Sequence, residues 1–267
     1  MASSVRAVGV AFSWLTVLPI PHSWVDAAGP VDRRLGGAVM SAVPVVGAVL
    51  GGVGATLTWG LSYTDLPSAM IGFLLVAALG LATRGMHLDG LADTADGLGC
   101  YGTPERVAEV MRSGTVGPFG VATVVGVIVI QGLGFAALGD DGRWYAIALA
   151  IATGRVAAVI GTRQGLGSAH PNGFGALVAG TQHVSAVVWP AIGIVAAAVS
   201  GLWLAGTTVG TSAVATAVQA VVAAGVVWLF TWAFTRHCAR RMGGISGDVL
   251  GAVIELGTTL MVIGLLV

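Results

Sequence analysis

The sequence predicts an all-α, polytopic membrane bundle: one domain over residues 1–267, with about seven transmembrane helices, an interfacial N-terminal helix and a cytoplasmic amphipathic helix. Three observations predict it. Of the 267 residues, 56% are hydrophobic and 9% charged, against roughly 25% charged in a soluble domain. Mean hydropathy is +0.91. Apolar runs of about 18 residues or more recur along the chain, each long enough for a helix to cross the hydrocarbon core.

The N-terminal segment VRAVGVAFSWLTVLPIP holds an apolar run of about 14 residues that ends at Pro19 and Pro21. It has no clear small-residue cleavage site, so a removable signal peptide is not expected. It is too short to span and is expected at the interface. Spans then follow at about 36–61, 66–83, 117–138, 144–162, 184–205, 210–235 and 247–267. Gly47 and Gly51 form a small-xxx-small pair suited to close helix packing. Cys100 and Cys238 lie in different segments and read as free thiols.

All twelve basic residues are Arg, and net charge is zero. No basic tract suggests nucleic acid. The arginines sort by side. Arg6, Arg33 and Arg34 precede the first span, Arg84, Arg106 and Arg112 follow the second, Arg163 follows the fourth, and Arg236, Arg240 and Arg241 follow the sixth. The positive-inside rule makes that side cytoplasmic, in a multi-pass protein of the cytoplasmic (inner) membrane.

On that same side lies RGMHLDGLADTADGLG, with Asp89, Asp93 and Asp96. Spacings of four and three residues put the carboxylates on one helix face, at about 0°, 40° and −20°. Three like charges on one stripe near lipid repel one another, and bound cations explain them most simply. A solvated polar loop is the plainer alternative. The stripe is about 10 Å long, so one Mg²⁺ does not easily join both ends; two ions, or one shared with a partner segment, fit better. His87 is read as a base, a ligand or a phosphate donor, or as a polar residue at the interface.

Thr103 and Pro104 then suit the N-cap and first position of a helix. Glu105, Glu109 and Arg112 repeat the i, i+4, i+7 spacing opposite Val107, Val110 and Met111. The polar face of this helix, with Glu105 and Arg106, either closes over the aspartates or faces water. Ser113-Gly114-Thr115-Val116-Gly117 offers a weakly specific phosphate cradle. Inside apolar sequence, Arg155, Asp248 and Glu255 are functional candidates because their burial must be compensated, whether by substrate or by pairing with each other.

These residues resemble the cobalamin synthase (adenosylcobinamide-GDP ribazoletransferase) family. His87-Leu88-Asp89-Gly90-Leu91-Ala92-Asp93-Thr94-Ala95-Asp96-Gly97 is similar to its hallmark. Glu105-Arg106 through Met111-Arg112, then Gly117 and Gly120, resemble the next block, and Phe12 to Pro21, Arg155 and Gly243 through Leu256 follow in order. Ser113-Gly114-Thr115, and Gly257 and Thr258, depart from the family pattern. The resemblance implies Mg²⁺-dependent phosphotransfer: a hydroxyl of α-ribazole, or of its 5′-phosphate, attacks adenosylcobinamide-GDP and GMP leaves. It implies Asp89, Asp93, Asp96 and Glu105 as metal ligands, and His87, Asp89 and Asp93 as catalytic. Arg106, Arg112, Arg155, Asp248 and Glu255 become substrate contacts. A bilayer is an expected partner, and a homo-oligomer is compatible with the sequence. The D-G-x-x-D-x-x-D arrangement also resembles membrane CDP-alcohol phosphotransferases. A transporter is disfavoured, because the charges cluster at one interface and no paired repeat is visible.

Overall fold

The computed structural model describes residues 4–25, 31–111, 114–204 and 213–267. Arg112 and Ser113 lie outside the described residues, as does 205–212, where the fifth expected span ends and the sixth begins. The described chain is helical, with only isolated backbone bridges between loops.

The helices follow the apolar runs in order. α1 (Ser4–Leu15) and α2 (His22–Val25) form the N-terminal segment, and α3 (Arg33–Leu61) is the first long helix. Asp32 starts α3 by accepting the Leu35 amide at 2.9 Å. α4 (Ser68–Ala82), α5 (Met86–Gly99) and α6 (Pro104–Met111) follow, then α7 (Pro118–Asp140) and α8 (Trp144–Gly161). α9 (Phe174–Val178) is a short helix in a loop, and α10 (Ser185–Leu204), α11 (Ala213–Met242) and α12 (Gly247–Leu266) complete the bundle.

Apolar helices therefore stand at all the expected positions, but fewer are long enough to cross a membrane unaided. Among the described residues these are five: α3, α7, α8, α11 and α12. α4 meets the requirement only together with α5, and the two are bent by 92°. α10 is apolar but short over Ser185–Gly201. The reason for the bend is local. Arg84 and Gly85 both take left-handed backbone angles (φ 56° and 68°). The Gly85 amide closes the end of α4 on the Gly80 carbonyl at 2.7 Å. Arg84 carries the strain of that conformation as a non-glycine, and its guanidinium donates to the Trp14 carbonyl at 3.1 Å, tying the corner to α1.

α8 lies at the centre, with Ile147 and Ile151 fully buried. The Gly47/Gly51 pair lets α3 approach it: a Cβ at Gly51 would stand 2.5 Å from the Ala148 carbonyl oxygen, and one at Gly47 2.8 Å from Arg155 Cβ. Val187, Val195, Val222 and Leu229 point outward, as a lipid-facing surface requires. Cys100 and Cys238 are free thiols.

The contact that matters most for function joins α5 to α12. A Cβ at Gly90 would stand 2.7 Å from both the Cα and the carbonyl oxygen of Asp248, and one at Gly251 would stand 3.1 Å from the His87 Cα. Each helix thus presents a glycine to the backbone of the other. Gly90→Ala is expected to force the helices apart, costing about 1–3 kcal/mol of stability. Gly52→Ala, where a Cβ meets open space, leaves stability unchanged; thermal unfolding of the two variants checks this.

Candidate active site

α5 places the three aspartates on one stripe but at different depths: Asp89 is exposed, Asp93 half-buried and Asp96 buried. Their partners differ accordingly. Asp96 accepts the Gly117 amide at 2.6 Å on one oxygen and the Gly120 amide at 2.9 Å on the other. Its charge thus caps α7, where free amides and the helix dipole stabilise an anion. Only glycine suits the two facing positions, since a Cβ at Gly117 or Gly120 would come within 2.6 Å or 2.5 Å of that carboxylate.

Asp89 and Asp93 form no hydrogen bond or ion pair among the described residues. α12 brings a fourth carboxylate beside them. Asp248 sits in its first turn, with one oxygen accepting from Ser246 Oγ at 3.2 Å. Burial, and then the charges of Asp248, Asp89 and Asp96, push the Asp93 carboxyl up to about 6. Among the described residues no three His, Cys, Asp or Glu side chains close into a finished cation site. The donors do suit a hard cation: Asp89, Asp93 and Asp248 offer carboxylate oxygens, and their mutual repulsion is what a positive ion would relieve. Mg²⁺ in particular is held by one or two carboxylates with water and substrate phosphate completing its shell.

Beneath the carboxylates lies a buried polar layer. His87 Nδ1 is 3.7 Å from Glu255 Oε1. Gln131, from α7, donates to Glu255 Oε2 at 2.9 Å and to Thr259 Oγ1 at 3.1 Å. Both His87 ring nitrogens are buried without a hydrogen-bond partner. Arg155 is 3% exposed and donates to the Ile151 carbonyl at 3.3 Å. Its charge is felt by Glu255 and His87, without direct contact to either carboxylate oxygen.

A cavity of about 510 Å³ joins these layers to the surface. Asp89, Asp248, Arg84 and His87 form its polar wall. Trp14 and Phe174 line the other side, edge to face at 5.9 Å between ring centres, with Met40 and Ile254 deeper. Arg155 and Glu255 do not reach it; they stand behind His87.

The remaining predicted residues lie on α6 or beyond. Glu105 and Arg106 are exposed, and Arg106 pairs with Glu109 Oε2 at 2.7 Å. A hydrogen bond from Thr103 holds the Glu105 carboxyl below its ordinary range. No hydrogen bond or ion pair joins either residue to the aspartates among the described residues. Arg112 is outside them. Sequence reasoning passed over Gln131, whose signal was a lone amide inside an apolar run. It also passed over Arg84 and the Trp14–Phe174 pair, which come together only in three dimensions.

Five helices long and apolar enough to cross a membrane, with facing carboxylates at the mouth of a half-apolar cavity, define a multi-pass membrane protein with a carboxylate-lined site. The family model described as Cobalamin-5-phosphate synthase matches residues 7–266. The chain is 35% identical to the adenosylcobinamide-GDP ribazoletransferase of Corynebacterium efficiens, over 97% of this chain and 90% of that one. It is likewise 35% identical to the same-named enzyme of Frankia casuarinae, over 96% and 93%, and 28% identical to that of Acetivibrio thermocellus, over 94% and 93%. No solved structure matches. The chain belongs to the cobalamin-5-phosphate synthase family.

The division of labour within the stripe has a measurable consequence. Asp96→Asn removes one acceptor from the α7 cap and turns an N–H toward a backbone N–H. It is expected to cost about 1–2 kcal/mol of stability. Thermal unfolding should show that loss equally with and without Mg²⁺, whereas Asp93→Asn should not lower the melting temperature at all.

Proposed function

We propose that this protein transfers the adenosylcobinamide-phosphate group from adenosylcobinamide-GDP to α-ribazole, or its 5′-phosphate, and releases GMP. One observation supports it above the others: carboxylates from α5 and α12 meet at the mouth of a cavity whose inner wall is His87. Phosphotransfer between two anionic reactants needs charge neutralisation, in-line positioning and a proton acceptor. The arrangement contains residues suited to each.

Asp89, Asp93 and Asp248 would hold Mg²⁺, which when bound supplies positive charge against the diphosphate. Asp96, with both oxygens engaged by backbone amides, serves to fix the α5–α7 junction. Arg84 stands on the cavity wall and would meet a phosphate oxygen. The flat base of the ribazole would lie against Trp14 and Phe174, which give the cavity of about 510 Å³ an aromatic wall. The bulky corrinoid would stay outside the mouth.

In the reaction the ribazole hydroxyl oxygen forms a bond to the cobinamide-side phosphorus, and the bond from that phosphorus to the bridging oxygen of GMP breaks. The hydroxyl proton passes to a carboxylate on the cavity wall, Asp89 or Asp248. His87, with both ring nitrogens buried behind that wall and its Nδ1 side toward Glu255, acts as a positioning residue. Gln131, which also donates to Thr259, holds the Glu255 carboxylate, and that carboxylate faces the His87 ring. The electron pair of the broken bond leaves on GMP.

We read this mouth as cytoplasmic, a reading that the arginine-rich loops support through the positive-inside rule. The phospholipid-synthesising CDP-alcohol reading rests on the D-G-x-x-D-x-x-D spacing alone, and the family match and the relatives favour the corrinoid substrate over it. Protein reconstituted in bilayers with adenosylcobinamide-GDP, α-ribazole and Mg²⁺ is expected to release GMP. Asp93→Asn should cut that rate by about 100-fold or more. CMP release from a CDP-activated lipid, with no GMP from the corrinoid substrate, would sink the assignment.

A further inference from the structure

A second cavity is lined by none of the carboxylates. It is an open groove of about 900 Å³ between the N-terminal ends of α3 and α10. Its polar end carries Arg33, Arg34, His183 and Ser185, and no acidic residue lines it. Arg33 spends its donors on neutral backbone carbonyls, those of Ala176 and of Ala179 (2.7 Å). Arg34 and His183 are exposed and make no hydrogen bond or ion pair among the described residues. Two guanidinium charges therefore face one groove uncompensated; the nearest acid in sequence, Asp32, is committed to capping α3.

The groove changes character along its length. From Val184, just before α10, it runs along one face of that helix past Val188 and Ile192; the three are 67%, 45% and 47% exposed. Residues at spacings of four stack on one face, so these three form an apolar strip about 12 Å long. The floor between the two ends is rigid. Gln182, 2% exposed, receives Ser41 Oγ at 2.9 Å and donates to the Gly37 carbonyl at 2.8 Å, and Trp189 Nε1 donates to the Ser41 carbonyl at 2.8 Å.

We propose that this groove binds an anionic phospholipid, its phosphate between Arg34 and His183 and one acyl chain along Val184, Val188 and Ile192. Charge complementarity selects the headgroup, since guanidinium binds phosphate well and cations near a membrane surface attract acidic lipid. The apolar strip selects a lipid over a soluble phosphate, which would have no use for it. Arg33 links the groove to the catalytic side, because the carbonyls it holds end α9, and α9 supplies Phe174 to the active-site cavity. An occupied groove thus braces the aromatic wall.

The test is native mass spectrometry of the intact protein released from nanodiscs of equal phosphatidylglycerol and phosphatidylcholine. The wild type is expected to retain phosphatidylglycerol preferentially. Arg34→Gln should reduce that preference by about fivefold, and Arg34→Gln with His183→Gln further. Ile192→Glu, which leaves the cations in place, should reduce it as well. Equal retention of the two lipids by the wild type overturns the proposal, as does an unchanged preference in the double variant. Displacement of phosphatidylglycerol by glycerol 3-phosphate at matched concentration would show a site for soluble phosphate and also overturn it.

Discussion

The backbone-to-backbone contact of α5 with α12 is the constraint on which the site depends. Two glycines, Gly90 and Gly251, let the helices touch without intervening side chains. That contact sets Asp248 next to Asp93 and, two turns deeper, Glu255 beneath His87. An alanine at either position would add a methyl where a neighbouring main chain already stands. The bend of 92° between α4 and α5 serves the same end, because it swings the aspartate helix onto α12 and away from a continuous span.

Charge then has to be accommodated where lipid makes it costly. The protein meets this in three ways within one stripe. Asp96 is neutralised by the amide end of α7. Asp89 stays in contact with water. Asp93, half-buried between them with Asp248 alongside, has neither remedy, and it is the group whose charge is least comfortable. Deeper in the bundle, Glu255, Gln131, Thr259 and His87 share a layer in which Arg155 offsets the acid without a direct ion pair. A substrate-bound cation at the mouth would complete an arrangement whose structural charges are already satisfied.

Much of this was legible in the sequence, and the parts that were not have physical reasons. Helix positions followed from apolar runs, and the stripe from its spacing, because both depend on local geometry. The Gly47/Gly51 pair marked the α3–α8 seam for the same reason. The number of full spans was harder to read, since hydropathy does not register that Arg84 and Gly85 turn the chain at the end of α4. The distinct fate of Asp96 also escaped, because its partners lie more than twenty residues away at the start of another helix. Arg155 illustrates the limit in the other direction: an intramembrane charge pointed to function, but its place behind His87, off the cavity wall, is a matter of packing.

The central claim is that one cation is shared between α5 and α12. Mn²⁺ binding to the intact protein in nanodiscs, followed by electron paramagnetic resonance, tests it most directly. The account predicts that Asp93→Asn and Asp248→Asn each weaken Mn²⁺ affinity by about tenfold or more, since each removes a charged ligand from the same ion. Undiminished Mn²⁺ affinity in Asp248→Asn, with loss only on changing the α5 aspartates, would contradict it.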